Sequence, residues 1–254
     1  MNRTALVTGA ARGIGAATVD RLVADGYRVL AVDSCEGPPQ ATVEELDEVV
    51  ARHGDQVLGR VVDVRDRAGL EVAVAEVVGS WGHLDVAVAA AGIVDGGSPL
   101  WQTPDAVLQD LWDVDARGVW NTAAAAVPAM LAGPDPGRCR FVAVASAAGT
   151  HGLFHLAAYS AAKHAVVGMV KGLAADLVGT GVTAAAVSPG STDTAMLRRT
   201  ADLYDVPVEE LVRRQLIRRV IDPAEVAAAI AFCASPAGGV VNGTVLHADG
   251  GFEG

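Results

Sequence analysis

Short, nearly unbroken apolar runs alternate along the chain with stretches of helical period. The runs ALVTG (5–9), YRVLAVD (27–33), VLGRVVDV (57–64), LDVAVAAAG (84–92), RFVAVAS (140–146) and GVTAAAVSPG (181–190) read as strands. Apolar at successive positions, they suit a parallel sheet covered on both faces. Helical periodicity marks 13–25, 42–53, 66–81, 103–131 and 157–178, and a last helix (223–233) precedes a final strand (244–247). Asp66 and Thr103 are expected as N-caps, with Pro104 at the first helical position. The alternation predicts an α/β fold, a doubly wound parallel sheet with helices on both faces and right-handed crossovers.

No repeat or low-complexity linker divides the chain, so one domain spanning 1–254 is expected. Residues 191–222 break the rhythm. This long connection after the sixth strand has a helix-like stretch at 208–219, and its place at a strand's carboxyl end predicts a substrate lid.

Composition narrows the function. With Lys+Arg 19 against Asp+Glu 30, the net charge is −11, unsuited to neutralising phosphate backbones, so nucleic acid is excluded as a partner. The longest uncharged stretches are too polar or too short for the roughly 18 apolar residues of a membrane span. The N-terminus is not built like a signal peptide, since glycine and arginine interrupt it from Gly9 to Gly15. Cys35, Cys139 and Cys233 form no CxxC pair and no even framework, which points to reduced thiols in a cytoplasmic protein.

The first strand runs into TGAARGIG, placing Gly9, Arg12, Gly13, Ile14 and Gly15 at a strand–turn–helix junction. Glycines there permit positive φ and close approach of a pyrophosphate, which the helix N-terminus then meets with free N–H groups. The second strand ends in Asp33, 18 residues after Gly15, where an acid that bonds the adenosine ribose belongs. A carboxylate at that place accepts from both ribose hydroxyls and repels a 2′-phosphate. Arg12 pulls the other way but can swing into solvent, so NAD is the expected cofactor. Asp63, ending the third strand, is expected to cap the adenine pocket through its carboxylate or the Val64 N–H.

Ser146 follows the fifth strand, and 13 residues later comes YSAAK, with Tyr159 and Lys163. Four residues apart on a helix, the ammonium lies beside the phenol. A free phenol ionises near pH 10, too high for a base at neutrality, and a neighbouring cation lowers that value. Ser146 can hold a substrate oxygen while Tyr159 takes or returns its proton.

Together these residues resemble the short-chain dehydrogenase/reductase family over essentially the whole chain. The resemblance implies a single Rossmann-type domain with a seven-stranded sheet, commonly assembled as a homotetramer. It assigns TGAARGIG to the cofactor loop and makes Ser146, Tyr159 and Lys163 the catalytic residues, with Lys163 also gripping the nicotinamide ribose. Ala91 and Gly92 of AAAG join the cofactor set. In SPGSTDT, Pro189 and Gly190 would turn beneath the nicotinamide, while Thr192 (main chain) and Thr194 (hydroxyl) would hold the carboxamide.

Two departures stand out. AAAG replaces the family's NNAG, so Ala90 occupies the place of an asparagine that bonds across the sheet. VDARG (114–118) replaces VNxxG, putting Asp115 where the family has a fourth catalytic residue, asparagine. An ionised Asp115 would pair with Lys163 and weaken the field on Tyr159. The segments LWDVDARGVWN, AAYSAAKHAVVG and VAVSPGSTDTAML look like one branch, the mycofactocin-dependent oxidoreductases. Membership would imply a nicotinamide that stays bound and is recycled by mycofactocin. The loop after Asp33, stiffened by Pro38 and Pro39, would act as a flap over the adenine edge.

His151 and His155 have no third ligand nearby in sequence, so no metal site is expected and both are placed in the substrate pocket, among 93–101, 147–158 and 195–216. The arginine pairs 198–199, 213–214 and 218–219 are expected on a solvated face matched to Asp202, Asp205, Glu209 and Glu210. The expectation is an NAD-dependent oxidoreductase acting on a secondary alcohol or its ketone. Its rivals are a freely exchanging NAD(P)-linked ketone reductase, disfavoured in its NADPH form by Asp33, and a non-catalytic nucleotide-binding regulator, against which the intact Ser–Tyr–Lys set argues.

Overall fold

Seven parallel strands form one sheet in the order β3-β2-β1-β4-β5-β6-β7 in the computed structural model of the chain, which describes residues 3–253. The strands are β1 (Thr4–Thr8), β2 (Arg28–Asp33), β3 (Val57–Val61), β4 (Val86–Ala89), β5 (Arg140–Val144), β6 (Thr183–Pro189) and β7 (Val245–Ala248). Their side chains alternate between two cores. Leu6, Leu30, Ala87 and Phe141 face the layer of α3 (Arg67–Trp81), α5 (Arg117–Ala132) and α6 (Ala157–Asp176). Ala5, Val7, Val29 and Val142 face α1 (Gly13–Ala24), α2 (Val43–His53) and α9 (Pro223–Ala234). The period-two exchange of buried side chains explains why the strand sequences are apolar throughout. Among the described residues no helix is long and apolar enough to cross a membrane.

The observed strands 3, 4 and 5 stop earlier than their apolar runs. Residues 62–64, 90–92 and 145–146 lie beyond the strand ends and form the rim of a crevice at the carboxyl ends, where strand order reverses between β1 and β4. Ala90 costs the sheet little. The Thr8 hydroxyl accepts the Ala90 and Ala91 N–H groups at 3.2 and 3.4 Å, bridging β1 to the end of β4.

Three expectations about helices need correction. The helix expected over 103–131 is two, α4 (Asp105–Leu111) and α5, joined by a π-helical segment at Trp112–Ala116. Thr103 is not its cap. Pro104 holds that position, and the Thr103 hydroxyl bonds back to the Pro99 carbonyl. Within 191–222, a helix absent from the sequence reading, α7 (Ala195–Tyr204), is capped by Thr194, whose hydroxyl accepts the Leu197 N–H. The expected helix at 208–219 is only the short α8 (Val208–Leu211) and one further turn. Buried Gln215 ends it, its amide joining the Ser191 N–H and the Arg219 carbonyl while the main chain of Leu216 and Ile217 bonds to Gly251 and Gly250.

Candidate active site

One groove of about 610 Å³ runs along the carboxyl edge of the sheet. It is lined at β1 and β2 by Gly9, Arg12, Gly13, Ile14, Gly15 and Asp33, and at β4 to β6 by Ala91, Gly92, Ser146, Tyr159, Lys163, Pro189 and Gly190. Asp33 ends β2 and Ser146 follows β5, strands three places apart, a separation of about 14 Å at ordinary strand spacing.

The β1–α1 turn has the shape a pyrophosphate needs. Gly9 has φ +66° and lies so close to the next strand that a Cβ would sit 2.6 Å from the Ala91 Cα. A Cβ on Gly15 would strike the Gly9 carbonyl. No side chain caps α1, so the first-turn N–H groups are left for an anion. The Asp33 carboxylate is fixed by the Ala11 and Cys35 N–H groups at 3.1 and 3.3 Å, and it lines the groove without a cationic partner among the described residues. An unshielded carboxylate there suits a ribose diol and opposes a phosphate. The residues present therefore fit a dinucleotide with a free adenosine ribose.

Arg12 does not reach for that place. Its guanidinium donates to the Pro39 carbonyl at 2.6 Å, tying the 34–41 loop to the glycine turn. Arg65 ties the same loop from the other side, pairing with Glu36 and with Asp63. Burial pushes the Asp63 carboxyl up, but the Arg65 guanidinium and N–H outweigh it and hold the group below its ordinary value. Asp63 thus lines the groove with much of its acceptor capacity engaged. The Val64 carbonyl is taken by the Asn121 amide at 2.9 Å. Neither Arg65 nor Glu36 was legible as a site residue, because their meeting depends on two loops separated by 29 positions.

At the other end, α6 places Tyr159 and Lys163 one turn apart, the Lys163 Nζ 5.6 Å from the phenol ring centre. The Nζ donates to the Val144 carbonyl at 3.3 Å and faces the Asp115 Oδ1 at 3.3 Å. The π segment turns Asp115 inward, where it is fully buried. Burial raises the Asp115 carboxyl above its ordinary value, although Lys163 and the Ile93 N–H oppose it. Burial alone would lower Lys163, but Asp115 and Tyr159 outweigh it and raise it. Tyr159 is raised, by burial first and Asp115 in addition, against the lowering effects of Lys163 and the Ser146 hydroxyl. Ser146 starts a short turn and accepts the Ala148 N–H at 3.1 Å. The Tyr159 hydroxyl points at the Met196 sulfur, 3.7 Å away, a neighbour that α7 supplies.

Thr192 donates its hydroxyl to the Gly190 carbonyl, and Thr194 donates to the Thr192 carbonyl while capping α7. A Cβ on Gly190 would lie 2.7 Å from the Asp249 carbonyl, which keeps this turn tight against the last strand. Ile93, Val94, Leu153, Leu156, Met196 and Tyr204 give the groove an apolar wall beside Tyr159.

Some expected neighbours lie elsewhere. His151 and His155 do not line the groove. The His151 ring packs on Phe252, and His155, at φ +55°, stacks on Phe154 while its carbonyl takes the Gly97 N–H. Residues 95–101 turn away from the groove, and Trp101 is 80% exposed. Of the arginine pairs, only Arg213 finds an expected partner, Glu210. Arg198 pairs with Asp193, Arg199 with Asp95 and Arg219 with Glu225. The three cysteines are free thiols, each pushed up to about 11, chiefly by burial, and so poor nucleophiles.

Comparisons with known proteins agree with this geometry. A family model described as enoyl-(acyl carrier protein) reductase matches residues 9–253. A protein of Streptomyces coelicolor named for ketoacyl reduction is 35% identical over 98% of this chain and 97% of its own length. The (-)-trans-carveol dehydrogenase of Rhodococcus erythropolis is 36% identical over 77% of this chain and 73% of its own. The crystal structure of carveol dehydrogenase from Mycobacterium avium in complex with NAD superposes with a TM-score of 0.90 at 31% identity, covering 98% of this chain and 96% of that one.

Proposed function

The chain belongs to the short-chain dehydrogenase/reductase family, oxidoreductases of CH–OH groups, and we propose that it interconverts a secondary alcohol and its ketone with NAD. The observation that carries this reading is the convergence of Ser146, Tyr159 and Lys163 on the groove whose other end holds the unshielded Asp33 carboxylate. Gly9, Arg12, Gly13, Ile14 and Gly15 would hold the pyrophosphate, Asp33 the adenosine ribose, and Asp63 and Val64 the adenine edge. Ala91, Gly92, Pro189, Gly190, Thr192 and Thr194 would flank the nicotinamide, and Lys163 its ribose. When bound, the cofactor supplies or accepts the hydride. Ser146 holds the substrate oxygen, and Tyr159 gives it a proton in one direction and removes one in the other. The apolar wall excludes water and suits a hydrophobic substrate, such as the cyclic alcohol named for the carveol dehydrogenases. The segment carrying α7 and α8 acts as the lid, with Met196 over the phenol.

The reading extends to cofactor handling. The 34–41 loop is tethered by Arg12 at Pro39 and by Arg65 at Glu36, a clasp across the adenosine half. Such tethering favours a nucleotide that stays bound, and recycling by mycofactocin is proposed on the resemblance of the LWDVDARGVWN, AAYSAAKHAVVG and VAVSPGSTDTAML segments alone. Trp112 and Trp120 are large apolar side chains left exposed, which favours assembly, and a homotetramer is the form proposed. The direct test is turnover by dialysed protein with alcohol and an artificial electron acceptor but no added NAD. Protein that emerges free of nucleotide and needs added NAD is an ordinary exchanging dehydrogenase. Failure of Tyr159→Phe to abolish turnover would sink the reading altogether.

A further inference from the structure

Three ionisable side chains meet at the catalytic end of the groove, Tyr159 and Lys163 lining it and Asp115 buried behind them, each from a different turn of chain. Lys163 and Tyr159 come from successive turns of α6, and Asp115 from the π segment that interrupts the preceding helix pair. Asp115 is 0% exposed and Lys163 3%. The Asp115 Oδ1 accepts the Ile93 N–H at 3.1 Å and faces the Lys163 Nζ at 3.3 Å, whereas its Oδ2 is buried without a partner. Gly92 makes the meeting possible, since a Cβ there would lie 2.5 Å from that Oδ1 and 3.3 Å from the Nζ. The other groups around the phenol are uncharged: the Ser146 hydroxyl from the end of β5, the Met196 sulfur from α7, and the apolar Leu111, Leu156 and Ala158. Lys163 and Asp115 act on Tyr159 in opposite directions, the ammonium lowering its phenol and the carboxylate raising it.

We propose that Asp115 is a positioning residue that acts as a fixed counter-charge to Lys163, so that Tyr159 keeps its proton through neutral pH and the site is set to hand that proton to a carbonyl substrate. The proposal rests on Tyr159 being the acid/base group of the function proposed above.

The reasoning is electrostatic. A lone buried ammonium favours phenolate strongly, because little solvent screens it. With a carboxylate 3.3 Å from it the ammonium becomes half of a dipole, and part of its field at the phenol is offset. Ionising Tyr159 would then leave two anions and one cation in a water-poor pocket, an arrangement burial opposes. Burial and Asp115 both raise Tyr159, and Lys163 with Ser146 offset only part of that. In ketone reduction the phenol O–H breaks and its proton passes to the substrate oxygen, as the carbonyl carbon takes the hydride that NADH supplies. The phenolate left behind recovers a proton from solvent. In alcohol oxidation the same oxygen must first lose its proton, so that direction requires higher pH. The overall equilibrium is untouched; only the pH windows of the two saturated rates move.

Tyrosinate absorbance tests this without turnover. The chain has 3 tyrosines, so the ultraviolet pH titration of the purified protein minus that of Tyr159→Phe isolates one phenol. Tyr159 is expected to titrate above the ordinary phenol range, and Asp115→Asn, which keeps the shape and removes the charge, should move its transition to lower pH. In the same variant, alcohol oxidation at neutral pH with saturating substrates should rise on the order of tenfold, the effect of about 1.4 kcal/mol at the phenol. Wild-type Tyr159 ionising at or below neutral pH would overturn the proposal, and that measurement needs no change at position 115. An Asp115→Asn transition that is unmoved or moves upward would overturn it as well. Neither result depends on turnover, so the proposal and the proposed function fail separately.

Discussion

The two ends of the groove use the same chemical groups in opposite surroundings. At the adenosine end Arg65 meets Glu36 and Asp63 with all three side chains 30–49% exposed. At the catalytic end Lys163 meets Asp115 with exposures of 4% and 0%. Water and salt screen the first cluster, and exposed pairs of that kind contribute about 0–1 kcal/mol. The second pair is paid for in desolvation, and breaking one partner leaves a charge with nowhere to go. Surface charges can therefore tether a loop and be lost at small cost. The buried pair sets the protonation of its neighbour, and its loss is felt in folding and chemistry together.

The sharpest contrast comes from the catalytic end. Tyr159→Phe removes only a hydroxyl, so cofactor affinity should survive while kcat falls about 10²–10⁴-fold. Parallel nucleotide titration and steady-state rates check this. Lys163→Met strands the Asp115 carboxylate and should lower unfolding free energy by about 3–5 kcal/mol at neutral pH. Adding Asp115→Leu should recover much of that loss, since a buried pair replaced as a unit costs far less than one broken. Chemical denaturation of both variants decides it.

Position 33 lies between these extremes, half-buried and held by two main-chain N–H groups. Asp33→Ala should narrow the preference for NAD over NADP by about tenfold or more, equivalent to about 1.4 kcal/mol. Affinities measured for both cofactors, in wild type and variant, check it. Wild-type protein preferring NADP would reverse the assignment. The smallest effect belongs to the surface clasp. Arg65→Ala should change stability by under about 1 kcal/mol and speed nucleotide release modestly, with the difference shrinking as salt is added. A large stability loss there would erase the contrast between the two ends.

The frame of the fold was open to reading because its signals are local. Each strand is a run of apolar residues needed on two faces, and each loop at the groove is punctuated by glycine, serine or aspartate where the strand ends. Even so, α7 escaped. AMLRRTADLY is amphipathic, with Leu197 and Ala201 buried four apart, but it lies inside a connection read as one long lid, and its start is fixed by Thr194, whose capping role competes with the carboxamide contact expected of its hydroxyl. The stretch at 208–219 shows the converse, a good helical pattern overridden by the buried amide of Gln215 and by pairing with Gly250 and Gly251. His151 and His155 sat near the site in sequence, yet the turn at His155 and the stacking on Phe252 and Phe154 direct both rings elsewhere.

The amino-acid sequence by itself determined the parallel α/β layering, the glycine turn, the acid that ends β2 and the Ser146, Tyr159 and Lys163 set. These follow from residue type and spacing within one or two elements, where chain geometry leaves few choices. Tertiary structure alone decided which charges lose their water. The π segment turned Asp115 inward, Gly92 left it room beside Lys163, and α7 closed Met196 over the phenol. A charge's effect depends on the dielectric around it, and that is set by segments that are distant in the chain and become neighbours only on folding.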